Sequence, residues 1–434
     1  MKGFSRLMRV AFAVAFVCQF GQIVVRAQSF AAGVLNVTHF RAPEFPLPSE
    51  AFANPTGLGA SASPGGLGPG SLPGQGRLPT EGGAPTIPSP NEGGNQGGPQ
   101  PGFSEGVTWI NSPPLTMEKL GGKVVLIDFW EYTCINCIRT FATNKKWYER
   151  YHRYGFEIIG VHDPEFDVAY PVQNVRVAVK RFGLPYPIVV DDHFQIWNAY
   201  HNSTWPNRFL IDAKGVVRFN RSGEGGDDAM EKAIQMLLLE AHPGLKFPAS
   251  YTTAAEKNTF GPDCGIPTEE VYVGNWYGRG ILANPKGYRN GKTLDYKLPG
   301  EVQDGKAAVS GRWETDKNGM IYRGKPKKGS FTDRLEMRYH ARELYAVMNV
   351  SHGHPQRLYI RQDGKDLTAQ NKGVDVRLDA QGRSYIEVRE PRMYYLVQNP
   401  DFGAHGVDLY PTAKGITVNS FTFGNNCQTD FPHL

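Results

Sequence analysis

Short, almost continuous apolar runs alternate with amphipathic stretches between residues 106 and 245. The runs at Val124–Trp130, Phe156–His162 and Tyr186–Val190 are typical of strands that are buried on both faces of a parallel sheet. Within Asn174–Phe182 the apolar residues recur at helical spacing instead, which predicts a helix packed on that sheet.

The end of the same region has the pattern of a hairpin followed by a helix. Asn207–Asp212 and Val216–Asn220 flank a short loop that contains Gly215, which predicts two antiparallel strands. Ile196–Tyr200 is expected to form a short helical turn before this hairpin. A closing helix is predicted by a stripe of apolar residues at Met230, Ile234, Leu237 and Leu238. Alternating strands and helices of this kind predict an α/β domain with helices on both faces of a central sheet.

Beyond residue 265 the pattern changes to short runs in which apolar and polar residues alternate. Turn dipeptides such as Asp363-Gly364 and Gln381-Gly382 separate these runs. So many short strands predict an all-β sandwich with a jelly-roll-like arrangement. The predicted strands are Leu335–Arg338, Leu344–Val350, Leu358–Arg361, Val374–Leu378, Ser384–Arg389, Tyr394–Val397 and Ile416–Phe423.

The N-terminus has the three-part pattern of an export signal. Lys2, Arg6 and Arg9 precede an uncharged apolar run at residues 10–25, and Ala27 offers a small residue for cleavage. An uncleaved membrane anchor is the alternative, although the run is shorter than the roughly 20 residues that span a bilayer. We therefore predict export to the periplasm, the cell envelope or the exterior, with membrane attachment only if the signal is retained.

Composition completes the predicted organisation of the chain. It has 434 residues, 40% of them hydrophobic, and a net charge of only +5 without a long basic block, so nothing favours nucleic-acid binding. Gly, Pro and other small or polar residues dominate the stretch after the signal, which predicts a disordered linker. The predicted parts are a signal peptide (1–27), a linker (28–105), the α/β domain (106–245), a connector (246–265) and the β-sandwich (266–434).

The candidate chemistry lies directly after the first predicted strand, where Cys134 and Cys137 are separated by two residues. A helical pattern begins there, and the unpaired amides and positive dipole of a helix N-terminus stabilise a thiolate. The pKa of such a thiol can fall from about 8.5 to between about 3.5 and 7.5. Cys137, one turn later, is placed to attack a mixed disulfide formed by Cys134. This spacing predicts a redox-active dithiol.

Three other interpretations of the cysteine pair were weighed. A zinc site needs two more ligands, and no second Cys-x-x-Cys or His pair follows within the next hundred or so residues. Attachment of a c-type haem requires histidine after the second cysteine, where this chain has Ile138. A purely structural disulfide remains open, although so short a loop constrains the unfolded chain very little. We predict no metal and no cofactor.

At this point the sequence resembles a known family, the TlpA/DipZ-like branch of exported thiol–disulfide oxidoreductases. The resemblance implies a thioredoxin fold for residues 106–245. It rests on segments in the family's order: Val125–Trp130, Tyr132–Arg139, Gly160–His162, Pro164–Phe166, Tyr186-Pro187, Trp197–Tyr200 and Trp205-Pro206.

The resemblance implies roles for four residues. Cys134 corresponds to the exposed nucleophile and Cys137 to the buried resolving thiol. Pro206 corresponds to the cis-proline that faces the disulfide. Asp128, six residues before Cys134, corresponds to a buried carboxylate that accepts the proton of Cys137 through water; the alternative is a strand-end residue bonded to the backbone.

Three further residues are expected to support the site. Trp130 is expected to shield the cysteines or to pack in the core. Glu165 is either a second acid near the site or an ordinary loop carboxylate. Trp205 stands where thioredoxins usually carry a small or β-branched residue, so substrate choice and reduction potential are expected to differ from theirs.

The C-terminal region resembles the β-sandwich, carbohydrate-binding-module-like domain that follows the thioredoxin domain in DipZ proteins. In an oxidising compartment Cys264 and Cys427, which bracket it, are expected to form a structural disulfide. Trp276, Tyr277 and Trp313 are candidates for stacking on a glycan, with core or edge packing as the alternative. His352 and His354 are too few for a metal site, so a polar turn is expected.

The function predicted from these observations is thiol–disulfide exchange with partner proteins by an exported enzyme, with a second protein as upstream redox partner. Two alternatives stay open. One is a peroxiredoxin-like peroxidase, although Thr133 directly precedes Cys134 instead of standing three residues before it. The other is a non-catalytic protein whose thioredoxin fold positions the β-sandwich on a glycan. The direction of electron flow and the oligomeric state cannot be predicted from the sequence.

Overall fold

The computed structural model describes residues 102–103, 106–252, 265–275, 281–326, 331–351 and 353–425, all within one compact unit. None of the helices in these ranges is long and apolar enough to cross a membrane. Several predictions lie outside the described residues: the signal peptide, almost all of the linker, the Cys264–Cys427 disulfide, and the residues Trp276, Tyr277 and His352.

The first folded region is a six-stranded mixed sheet covered by helices. Its sheet order is β1-β4-β3-β2-β5-β6, in which β2, β3 and β4 are parallel and β1, β5 and β6 run antiparallel to their neighbours. The thioredoxin-like α/β fold predicted from the sequence is thereby confirmed. Its elements are β1 (Thr108–Ile110), β2 (Val124–Trp130), α1 (Ile135–Tyr151), β3 (Phe156–His162), α2 (Val172–Phe182), β4 (Ile188–Val190), α3 (Gln195–Ala199), β5 (Asn207–Ile211), β6 (Val217–Ser222) and α4 (Asp227–Ala241).

The central strand β2 is buried on both faces, as its continuous apolar run predicts. Side chains alternate between faces along a strand, so every second residue belongs to the same core. Leu126 and Trp130 pack in the core that includes α1, α2 and α4, whereas Ile127 and Phe129 pack in the core that includes Ile196 of α3. Asp128 has the same parity as Leu126 and Trp130, so a carboxyl group enters the larger core.

Gly160, in the middle of β3, lets its neighbours pack closely behind the cysteine loop. A methyl group there would lie 2.5 Å from Ile188 Cδ1 and 2.9 Å from Trp130 Nε1. We expect Gly160→Ala to lower the free energy of unfolding by about 1–3 kcal/mol because the core is overpacked. Denaturant unfolding measures this change. Gly300→Ala is the control, since no atom lies within 4 Å of its added methyl group, and an equal loss in both variants would contradict the explanation.

The C-terminal region is built from antiparallel strands, which confirms the predicted all-β class. Its strand order is β14-β15-β12-β16-β11-β17-β10-β9-β8, with β13 paired to β12 and β7 paired to β17. The strands are β7 (Val271–Tyr272), β8 (Thr293–Tyr296), β9 (Ala307–Thr315), β10 (Met320–Tyr322), β11 (Arg334–Val350), β12 (Gln356–Gln362), β13 (Lys365–Asp366), β14 (Val376–Leu378), β15 (Ser384–Val388), β16 (Arg392–Pro411) and β17 (Ile416–Gly424).

The strands β11 and β16 are much longer than the sequence pattern indicates. The predicted strands Leu335–Arg338 and Leu344–Val350 are the two ends of the single strand β11. Its first part pairs with β9 and its last part with β17, while β16 runs along most of its length. Register shifts near Ala341 and Leu344 mark where the pairing changes. The alternation is interrupted at these shifts, which is why the sequence shows two short runs.

Trp313 is not available to a glycan. Its side chain is fully buried, contacts the ring of Tyr322, and donates its indole N–H to the Ser310 carbonyl at 2.8 Å. Core packing, the alternative to sugar stacking, is therefore correct for this residue.

Candidate redox site

The two cysteines lie where β2 ends and α1 begins. Cys134 is the N-cap of α1, with extended backbone angles (φ −81°, ψ 111°). Its Sγ accepts a hydrogen bond from the Cys137 amide at 3.3 Å, so the thiol occupies the position that a serine or aspartate side chain usually takes at a helix start. The local sequence thus places one sulfur at the positive end of a 17-residue helix.

The two sulfurs differ in access. Cys134 is partly exposed, whereas Cys137 is fully buried in the core behind it. A partner's sulfur can therefore reach Cys134 first, while Cys137 is in place for an internal attack on Cys134. This difference matches the roles of nucleophile and resolving thiol that the resemblance implies.

The helix start alone predicts a lowered pKa for Cys134, but the tertiary surroundings raise it. Burial is the largest cause, the interaction with Cys137 lowers the pKa, and the carboxylates of Glu165 and Glu270 raise it further. The pKa of Cys137 lies well above its ordinary value, chiefly through burial and then through its neighbour Cys134. The field of the helix favours the Cys134 thiolate, whereas the loss of water on burial and the nearby carboxylates oppose it.

Asp128 lies in the core beneath the cysteines. Its side chain is fully buried, and its Oδ2 accepts a hydrogen bond from the Asn144 amide at 2.9 Å. Burial raises the pKa of Asp128 to about 7, although the nearby Arg208 guanidinium and the bond from Asn144 act in the opposite direction. The charge of Asp128 in turn helps to raise the pKa of Cys137. A carboxyl group that titrates near neutral pH beside a buried thiol can exchange a proton with it.

Glu131 is a site residue that the sequence analysis missed. Its fully buried carboxylate accepts hydrogen bonds from the Thr133 amide at 2.5 Å and from the Thr133 hydroxyl. Burial raises the pKa of Glu131 to about 7, against the opposing effect of these bonds. A glutamate between two aromatic residues, directly after a buried strand, was the signal that could have identified it.

His162, at the end of β3, was also missed. It is fully buried, its ring stacks on Tyr132 at 5.6 Å, and its Nε2 lies 3.8 Å from Glu131 Oε1. Burial lowers the pKa of His162 to about 3, so the ring is neutral at physiological pH. It therefore contributes packing and a polar edge beneath the cysteine loop, but no positive charge that would stabilise a thiolate.

The Trp205–Pro206 peptide bond is cis. Pro206 is buried, whereas Trp205 is half-buried and contacts the ring of Trp197 at 4.5 Å. Trp205 and Cys134 are both partly buried and pack against the larger core. Close to Trp205, burial and the neighbouring Asp191 hold the pKa of Asp163 well above its usual range.

Trp130 is fully buried and contacts the rings of Phe141 and His162. It packs in the same core as Cys137, so its position fits core packing behind the site. Glu165 is half-buried and does not behave as an ordinary loop carboxylate. Its Oε1 accepts a hydrogen bond from the Tyr272 hydroxyl of the C-terminal region at 2.5 Å.

In the described parts of the chain, no group of three or more His, Cys, Asp or Glu side chains is arranged to hold a metal ion.

Comparisons with known proteins match both folded regions of the chain. Residues 110–220 match the AhpC/TSA family, and residues 268–424 match the family described as a thioredoxin like C-terminal domain. Protein DipZ from Mycobacterium tuberculosis (strain CDC 1551 / Oshkosh) is 32% identical over 327 residues, or 74% of this chain. The chain is a DipZ-like protein with a thioredoxin fold. It spans only 42% of the length of that relative.

Smaller redox proteins match shorter parts of this DipZ-like chain. The thiol-disulfide oxidoreductase ResA from Geobacillus thermodenitrificans (strain NG80-2) is 38% identical over 97 residues, which is 22% of this chain and 53% of ResA. Among solved structures, a thiol-disulfide isomerase from Corynebacterium glutamicum is 26% identical with a TM-score of 0.29, covering 32% of this chain and 96% of its own.

Proposed function

We propose that this chain exchanges disulfides with partner proteins outside the cytoplasm through Cys134 and Cys137. The observation that carries the proposal is the pairing of a partly exposed sulfur at a helix start with a fully buried sulfur one turn later. The similarity to ResA, a thiol-disulfide oxidoreductase, supports the same class of reaction. The export signal predicted for residues 1–27 supports the location.

The proposed reaction begins with the Cys134 thiolate attacking one sulfur of a partner disulfide. A bond forms between the two proteins, the partner's S–S bond breaks, and the partner's leaving sulfur takes up a proton. Cys137 then gives its proton to Asp128 and attacks the Cys134 sulfur, which releases the partner's second thiol. The cysteine pair loses two electrons and the partner disulfide gains them, while the partner's two sulfurs take up one proton from water and the one that Asp128 received from Cys137. An upstream redox protein restores the starting state by the same exchange in reverse.

The experiment that tests this proposal is the reduction potential of the Cys134–Cys137 pair. The purified chain is equilibrated with dithiothreitol or glutathione mixtures, and each thiol is assigned by mass spectrometry. We expect a reversible potential between about −270 and −120 mV, the range of working oxidoreductases, with a low value indicating a reductant and a high value an oxidant. A potential below about −300 mV without exchange activity would make the disulfide structural and would refute the proposal.

A peroxidase is the second candidate, and the match to the AhpC/TSA family favours it. Two contacts weigh against it. The Thr133 hydroxyl donates to the buried Glu131 carboxylate, and Arg139, just after the second cysteine, pairs with Glu224 at 3.1 Å and with Glu343 at 3.3 Å. Neither group is therefore free to polarise a peroxide bound at Cys134. Consumption of hydrogen peroxide by the reduced chain, measured beside disulfide exchange, distinguishes the two reactions.

We also propose that the C-terminal region faces an extracytoplasmic ligand, with a glycan as the class that the resemblance implies. Since Trp313 is buried in the core, aromatic stacking on a sugar would have to come from other residues, such as Trp276 and Tyr277.

A further inference from the structure

The C-terminal region packs directly against the helices and loops that carry the cysteines. Four of its side chains join the hydrophobic core that contains Cys137 and α1, and these are Tyr345, Val347, Met393 and Tyr395. Ion pairs cross the same boundary, with Arg139 to Glu343 at 3.3 Å and Arg181 to Glu390 at 2.9 Å. The redox site therefore lies at an interface and not on an open face of the thioredoxin domain.

Two carboxyl groups and one phenol meet at this interface. Tyr272, on β7 of the C-terminal region, lies with its hydroxyl oxygen 2.5 Å from Glu165 Oε1 and 3.3 Å from Glu270 Oε2. Glu270 also accepts a hydrogen bond from the Thr422 hydroxyl at 3.0 Å. The Tyr272 ring lies 6.1 Å from the ring of Phe166, next to Glu165 in the chain. These contacts hold the loop after β3 against the start of the C-terminal region.

The number of protons in this arrangement decides its charge. A phenol has one proton to donate, and the shorter contact assigns that proton to Glu165. The Tyr272 hydroxyl also lies within donating distance of Glu270 Oε2, but its single proton can fully satisfy only one of the two carboxylates at a time. Two ionised carboxylates at one phenol would repel each other, as in any closely spaced carboxyl pair. The three groups together therefore favour a state that holds one extra proton.

These charges act on the nucleophilic sulfur. Glu165 and Glu270 both oppose the ionisation of the Cys134 thiol. Burial, and then Glu270 and Glu131, hold the pKa of Glu165 well above its ordinary range. The charged and titratable groups that act on Cys134 or on this pair are Cys137, Glu131 and Glu165 from the redox domain, and Glu270 and Tyr272 from the C-terminal region. Arg139 does not offset the pair, because it is bound to Glu224 and Glu343.

We propose that the C-terminal region is part of the redox site, and that Glu270, held with Glu165 by Tyr272, controls the ionisation of Cys134. While the pair retains its extra proton, it carries less negative charge and Cys134 ionises more easily. When both carboxyls are ionised, the thiolate is opposed and the sulfur is a weaker nucleophile. Any partner or ligand that separates Glu270 from Glu165 would then alter the reactivity of Cys134. The role of this control in disulfide exchange rests on the proposed function. The alkylation test described next does not depend on that function.

The test is the rate at which iodoacetamide alkylates Cys134 between pH 5 and pH 10, followed by peptide mass spectrometry. The full chain carries Cys137→Ala, so that no internal disulfide forms. We expect Glu270→Gln to shift the rate–pH curve to lower pH and to raise the rate about three- to tenfold at the pH values where the parent pair has lost its extra proton, because a like charge has been removed there. Glu165→Gln is expected to act in the same direction. Because Glu270 is exposed, the effect is expected to shrink at 1 M salt.

Glu390→Gln is the matched control, since it removes a carboxylate from another ion pair of the same interface without being among the groups that act on Cys134. Its rate–pH curve should coincide with that of the parent, and Glu270→Asp should restore most of the parent behaviour. A Glu270→Gln curve identical to the parent's would overturn the proposal. An equal shift in Glu390→Gln would also overturn it, by showing that any loosening of the interface has the same effect. Alkylation needs no protein partner, so it can support or refute the control of Cys134 even if the chain shows no disulfide exchange.

Discussion

Replacing Cys134 with alanine is expected to reduce disulfide exchange by about a thousandfold or more, because the variant loses its attacking sulfur. Cys137 cannot substitute for it, since its side chain on α1 is fully buried in the core. Reduction of insulin by the dithiothreitol-coupled chain, recorded as turbidity, measures the loss. If the protein is a non-catalytic scaffold, Cys134→Ala should leave its function unchanged. Retention of wild-type exchange by Cys134→Ala would refute the assignment of this sulfur as nucleophile.

Cys137→Ala is the matched variant for this experiment and should fail at a different step. Cys134 is still partly exposed and can attack a partner disulfide, but nothing then resolves the bond between the two proteins. We expect a covalent complex to accumulate, visible on a non-reducing gel and absent from the Cys134→Ala sample. Equal absence of the complex from both variants would contradict the division of roles between the two sulfurs.

Replacing Asp128 with asparagine is expected to stabilise the protein and to slow its chemistry. Burial raises the pKa of Asp128 from 3.8 to about 7 in the folded chain. Between these values the unfolded state releases a proton that the folded state retains, so the stability of the wild type falls as pH rises. The difference corresponds to about 4 kcal/mol at most, fully expressed above pH 7 and absent below about pH 4. Asparagine stays neutral throughout and escapes this cost.

The measurement for Asp128→Asn is denaturant unfolding at pH 4 and at pH 8. We expect the variant to be more stable than the wild type by a few kcal/mol at pH 8 and nearly equal to it at pH 4. Glu131 has a similarly raised pKa, but it is present in both proteins and cancels in the comparison. A gain of equal size at both pH values would mean that the effect is packing and not ionisation.

The kinetic readout of the same variant separates a positioning role from proton transfer. Without the carboxyl group, Cys137 loses its nearby proton acceptor, and release of the mixed disulfide should slow at least tenfold at pH 7. The defect should shrink at higher pH, where hydroxide and buffer deprotonate the thiol without help. A defect that stays constant with pH would indicate that Asp128 only shapes the site.

Several features of the fold could be predicted because they depend on residues that are near each other in the chain. The continuous apolar runs gave β2 and β3 at their observed bounds, since strands buried on both faces need hydrophobic residues at every position. The helix after β2 was indicated by the cysteine loop and by the amphipathic pattern that follows it. The long strand β11 was divided into two shorter pieces, and only Tyr394–Val397 of β16 was predicted, because register shifts and glycines interrupt the alternation without ending the pairing.

The polar surroundings of the cysteines were predicted only in part. Asp128 is six residues from Cys134, and the family resemblance indicates its position. Glu131 was overlooked although it lies three residues from Cys134, because a charged residue beside a strand is usually solvated. The pKa of Cys134 was expected to fall, since the sequence reveals the helix start but not the burial that opposes it.

The sequence by itself determined the order of the two folded regions, the strand–cysteine–helix unit, and the identity of the two candidate sulfurs. These follow from hydrophobic period and from spacing within a single turn of helix. Only the tertiary structure decided what surrounds Cys134. Tyr272 reaches Glu165 across 107 residues of chain, and a contact between residues so far apart leaves no periodic signal in either segment. Burial and nearby charge depend on the packing of whole domains, and for that reason the reactivity of the sulfur is a property of the assembled protein.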